Sequence, residues 1–232
     1  MPNTFLKKAF DESMKLVGSD DKIKSDLPIT ITKHLDVILS KSESAKGVLT
    51  VILTSLVYKT LNPSQDIRNH QTSIDDGYSG RTFDTKHITP FLKSVKFPAM
   101  AESGWLTRSL EQKVPYDKKY SGAIRPDLLK SSFLETIDFI QKGQDLDKYL
   151  SYLLQALIIK RNSQEINLAK PLNLPIATII ELLTKHFNAK YTADGASRLP
   201  VLALFAAYEC LMKEAKRFEG KKLLEIVSHT SA

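Results

Sequence analysis

The sequence predicts a mainly α fold, a multi-helix orthogonal bundle with little or no β structure. Three observations carry that expectation. Apolar residues recur at helical spacing over seven separate stretches, alternating strand-like patterns are almost absent, and the turn-forming punctuation falls between the periodic stretches. With 42% hydrophobic residues in 232, the chain has material for a sizeable core.

In chain order, helices are expected at about 4–17 and 28–40, then a buried one at 45–60. The run Val48 to Val57 in the third is the most apolar, but at about ten residues it falls well short of the roughly 20 that span a bilayer. Arg125 to Gln141 follows, opened by Pro126 and Asp127, with Leu129, Phe133, Ile137 and Ile140 on one face and Gly143 beyond its end. Asp145 to Arg161 shows the clearest period, through Leu146, Tyr149, Leu150, Leu153, Leu154, Leu157 and Ile158; Lys160 and Arg161 suit its carboxyl end. Leu174 to Phe187 has Pro175 in its first turn, where the missing N–H costs nothing. Ser197 to Phe218 is the longest, closed by Lys213, Lys216, Arg217 and Gly220. Leu223 to Val227 is the one short strand expected, near the carboxyl end. Breaks fall at 18–28, 61–82, 112–126, 161–175 and 188–200, with no internal repeat. A single domain over 1–232 is expected, with sub-lobes 1–115 and 124–222.

The net charge of +7 and pI near 9.3 favour a polyanionic partner, nucleic acid first and an acidic membrane surface second. An adaptor for an acidic protein is a further alternative. Cys210 is the only cysteine, so no intrachain disulfide can form and a reducing, cytoplasmic setting fits; beside Leu202, Phe205, Tyr208 and Leu211 it is expected to be buried and inert. The five histidines have no zinc-ligand spacing, and neither GxxxxGK nor GxGxxG occurs. A nuclease of the PD-(D/E)xK kind needs carboxylates that hold a divalent cation and a lysine two residues beyond the second. That acid-to-lysine spacing occurs at Asp20 to Lys22, Asp84 to Lys86, Glu111 to Lys113, Asp117 to Lys119, Glu214 to Lys216 and Glu219 to Lys221, but none lies in an apolar strand-like run. No catalytic residue and no metal ligand are therefore assigned.

The stretch 65–93, QDIRNHQTSIDDGYSGRTFDTKHITPFLK, has the composition of a recognition surface. Arg68, Asn69, Gln71, Arg81 and Lys86 are side chains that pair with base edges or anchor on phosphates, and Gly77 and Gly80 would let a turn approach a ligand closely. Tyr78, Ser79 and Gly80, with Trp105 and Arg108 at helical spacing, would extend the platform. Against this, Arg81 has Asp84 or Asp75 as ion-pair partners, and Trp105 suits a core. Arg198, at the start of a late helix, is a further candidate DNA contact, although the connection before it is too long for a helix-turn-helix.

The strings NPSQDIRNHQTSIDDGYSGRTFDTKHITPFLKSVKFPAMAESGWLTRSLEQKVPYD at 62–117 and GASRLPVLALFAAYECLMKEAKRFEGKKL at 195–223, with the closing SHTSA, resemble type II restriction endonucleases of the SacI-like family. The resemblance implies double-stranded DNA as partner, Mg2+ as the cofactor of a full-length and homodimeric enzyme, and cleavage at a short specific site. It also implies a nuclease core downstream, in a GDIE and EIKH-type segment that this sequence lacks. The expectation is a helical DNA-binding portion that does not cut alone; the alternative is a stand-alone, non-enzymatic helical DNA-binding or regulatory module.

Overall fold

A computed structural model of the chain describes residues 1–163, 175–188, 199–214, 217 and 220. The protein is mainly helical, with no strand among the described residues. It forms two compact units, Met1–Ser163 and Gln164–Ala232.

In the first unit, α1 (Pro2–Val17), α2 (Ile29–Ser40) and α3 (Lys46–Leu61) are followed by a segmented helical run. That run is α4 (Gly80–Phe83), a π-helical turn (Asp84–Ile88) and α5 (Thr89–Ser94). After a long irregular stretch come α6 (Asp127–Lys142) and α7 (Leu146–Ser163). α3 is the hub, buried from Gly47 to Val57 on every side, as its unbroken apolar run requires. It packs against α6, α7 and the π-helical turn, while α1 lies on α7 and α2 on α6. Gly143 ends α6 in the left-handed conformation, φ 73°. Gln155 of α7 pins the segment between α1 and α2, accepting from Lys24 N at 2.8 Å and donating to Lys24 O at 3.1 Å.

The helix at 80–94 was not among those expected from the sequence, and the break expected at 61–82 overlaps its start. Its inward positions include Asp84, fully buried, beside Ile88 and Leu92, so the apolar period is broken by a carboxylate. The break expected at 112–126 holds no helix but is core, with Tyr116, Tyr120 and Ile124 buried. Lys160 and Arg161 have structural partners, as their helix-end position suggests. Lys160 donates to Ser42 Oγ at 2.8 Å and pairs with Glu43, and Arg161 donates to Val95 O and faces the rings of Phe10 and Phe97.

In the second unit, α8 (Ile176–Asn188) and α9 (Leu199–Glu214) are described. Ile180, Leu183 and Phe187 on α8, and Val201, Leu204, Tyr208 and Leu211 on α9, are exposed. Cys210 is exposed as well, which corrects the expectation of a buried thiol. α9 is apolar on nearly every face up to Tyr208, so apolar neighbours do not identify an inward side. The strand expected at 223–227 lies outside the described residues, and among those no helix is long and apolar enough to cross a membrane.

Candidate nucleic-acid interface

The loop from 62 to 79 is a folded structure whose polar groups are tied inward. Arg68 holds Asp66 in a two-pronged pair, Nε to Oδ1 at 2.9 Å and NH2 to Oδ2 at 2.5 Å. Burial opposes ionisation of Asp66, but the hydrogen bonds and charge of Arg68, with the charge of Lys59, together hold its carboxyl below its usual range, and the pairing raises the Arg68 guanidinium. Asn69 donates to Asp75 O at 3.0 Å and Gln71 to Gln112 O at 3.2 Å.

His70 is buried and stacked on Tyr116, ring centres 3.7 Å apart and almost parallel. Its Nδ1 lies 3.2 Å from Arg68 O and its Nε2 3.3 Å from Gln71 Nε2. A neutral ring with the proton on Nδ1 satisfies both contacts, donating to the carbonyl and accepting from the amide. Burial pushes its pKa down to about 4.

Tyr78 and Trp105 are 4% and 1% exposed, which corrects their assignment as surface contacts for a duplex. Tyr78 stacks on Tyr58 at 4.0 Å, and burial raises its phenol. Trp105 lies against Gly80, where a Cβ would come within 2.7 Å of the indole. At Gly77 a Cβ would meet the Gln71 carbonyl oxygen. Both glycines thus serve a close approach, but within the protein and not toward a ligand. Ser79 caps α4, its Oγ accepting from Thr82 N at 3.3 Å.

Cationic side chains reach solvent from the helical run and from the 101–111 segment facing it. Asp84 fixes these two pieces together. One carboxylate oxygen accepts from Thr89 N at 3.0 Å and Thr89 Oγ1 at 2.8 Å, and the other from Ser103 Oγ at 2.6 Å and Gly104 N at 2.8 Å. Above this joint lies an open groove of about 540 Å³. Arg81, Thr85, Thr89 and Lys93, each four residues apart, line one wall, and Ala101, Glu102, Ser103 and Leu106 line the other. Arg81 does not pair with Asp84 or Asp75; its partner is Glu111, at 3.0 Å, with the arginine side chain still 49% exposed. Lys93 donates to Ala101 O. Lys86 and Arg108 are exposed, and neither side chain has a hydrogen bond or ion pair among the described residues. Trp105 and Arg108 sit in turns, not at helical spacing. Arg198 lies outside the described residues.

Lys93, Thr85 and the groove itself were missed at the sequence level, because the helix that aligns them was missed. Among the described residues no group of three or more His, Cys, Asp or Glu comes together. Asp84 is enclosed by its four donors and Glu111 is held by Arg81.

Compared with known proteins, the chain matches no family model, no curated protein and no solved structure.

Proposed function

We propose that this chain is the DNA-binding helical portion of a type II site-specific restriction endonuclease, with the groove-bearing surface at 80–111 as its contact to double-stranded DNA. One observation carries the reading. Between Gly80 and Lys113 there are six Lys and Arg residues against three carboxylates; Asp84 is buried and Glu111 pairs with Arg81, which leaves five cations against Glu102. Exposed cations in excess over free carboxylates suit phosphate contacts, which dominate affinity for a duplex. The net charge of +7 supports the same partner, and the resemblance of the strings at 62–117 and 195–223 to SacI-like enzymes supplies the restriction context. Cleavage with Mg2+ is a property proposed for the full-length enzyme.

The test is a mobility-shift titration at low salt against a pooled random duplex library, alongside plasmid incubated with Mg2+. A salt-sensitive shift with intact plasmid is expected. No binding to any duplex overturns the reading, and a site-specific linear product overturns its division between binding and cutting.

A further inference from the structure

Lys59 stands near the end of α3 and is 5% exposed, the most enclosed lysine among the described residues. Its ammonium carries three donors, and only one is matched, to Gln65 O at 2.8 Å. No carboxylate among the described residues pairs with it. The nearby Asp66 has both oxygens engaged by Arg68. A cation this enclosed without a directly paired carboxylate is costly, and the last carbonyls of α3 and the charge of nearby Asp66 offset that only in part. Desolvation holds the Lys59 ammonium below the usual lysine value, with Asp66 opposing it.

Lys59 also lines a cavity of about 680 Å³ formed by the end of α3, the α6–α7 turn and the first turn of α7. Lys142 and Lys148 line it too, as do Asp145 and Asp147. Lys148 is taken up by Asp26 at 2.8 Å and Asp145 at 3.5 Å. That leaves Lys59 and Lys142 facing the cavity against Asp147. Lys142 lies over the Phe139 ring at 4.7 Å and is otherwise exposed. Gly143, in its left-handed conformation, abuts Lys59, a Cβ there coming 3.9 Å from Lys59 Cε.

We propose that this cavity is a phosphate-binding site, with Lys59 as its central cation and Lys142 as the second. A phosphate oxygen would accept the unmatched Lys59 donors and supply the direct ion pair that Lys59 lacks among the described residues. The site does not depend on the duplex reading, because the same chemistry recognises a free phosphate or a backbone phosphate.

The experiment measures inorganic phosphate binding by calorimetry at constant ionic strength, with chloride as control, on the full chain and two variants. Saturable binding is expected for the unaltered protein. Lys59→Met should abolish it and Lys142→Ser should weaken it several-fold; the second change is on the surface and leaves folding untouched, so the test survives if Lys59→Met fails to fold. Duplex DNA that displaces phosphate assigns the site to backbone phosphate, and phosphate binding indifferent to duplex assigns it to a small phosphate ligand; each supports the site. Absence of saturable phosphate binding, or unchanged affinity in folded Lys59→Met or in Lys142→Ser, overturns it.

Discussion

The adjoining stretches 65–79 and 80–94 have similar polar, glycine-containing compositions and opposite uses. In the first, arginine, asparagine, glutamine and histidine are hydrogen-bonded to the protein itself, and the loop is held by Tyr116, Gln112 and Gln141. In the second, a single inward carboxylate locks the framework, and Arg81, Lys86 and Lys93 stay at the surface. Composition marks both as recognition segments. Only the direction of the side chains separates scaffold from proposed contact surface.

The largest effect that would break this comparison comes from the lock. Asp84→Ala leaves the Thr89, Ser103 and Gly104 donors without their buried acceptor and should cost about 3–5 kcal/mol in chemical denaturation. Asp84→Asn, which keeps one acceptor, should cost less. A loss below about 1 kcal/mol for Asp84→Ala would mean that the groove is not fixed by this joint.

Next in size is a pH dependence that belongs to the inward-tied loop. The folded protein keeps His70 neutral down to about pH 4, while the unfolded chain takes up a proton near the ordinary histidine value of 6.5. Stability should therefore be fully present above that value and fall as pH drops from about 6.5 to about 4, by up to about 3 kcal/mol. His70→Phe, which retains a ring against Tyr116, should flatten this limb in urea titrations across pH. An unchanged slope in the variant would place the acid sensitivity elsewhere.

Smaller effects sharpen the outward half. Arg81→Ala should leave stability within about 1 kcal/mol, as for an exposed ion pair, while lowering the dependence of log affinity for duplex on log salt by roughly one unit. Lys86→Ala should do the same to the slope with no stability change, having no partner among the described residues to lose. Thermal melts beside anisotropy titrations separate the two readouts.

Much of the fold was legible, because α1, α2, α3, α6 and α7 each place apolar residues at helical spacing or in one unbroken run. The helix at 80–94 was not, since an aspartate occupies an inward position and a π turn shifts the period. For the interface, charge type pointed to Arg81, Lys86 and Arg108, but Tyr78 and Trp105 carry the same aromatic signal whether they stack on a base or on Tyr58 and Gly80. Nothing local distinguishes the two. Lys59 was equally silent, because a lysine near the end of an apolar helix is already explained by the helix dipole. Its enclosure emerges only when the turn between α6 and α7 packs beside it.

The most direct test of the central claim compares salt slopes for duplex binding between the triple variant Arg81→Ala, Lys86→Ala, Arg108→Ala and the single variant Arg68→Ala. A slope reduced by roughly three units is expected in the triple variant and one little changed in Arg68→Ala, whose guanidinium gives two nitrogens to Asp66 where Arg81 gives only one to Glu111. Equal slopes in the triple variant and the unaltered protein, or the larger drop in Arg68→Ala, would contradict it.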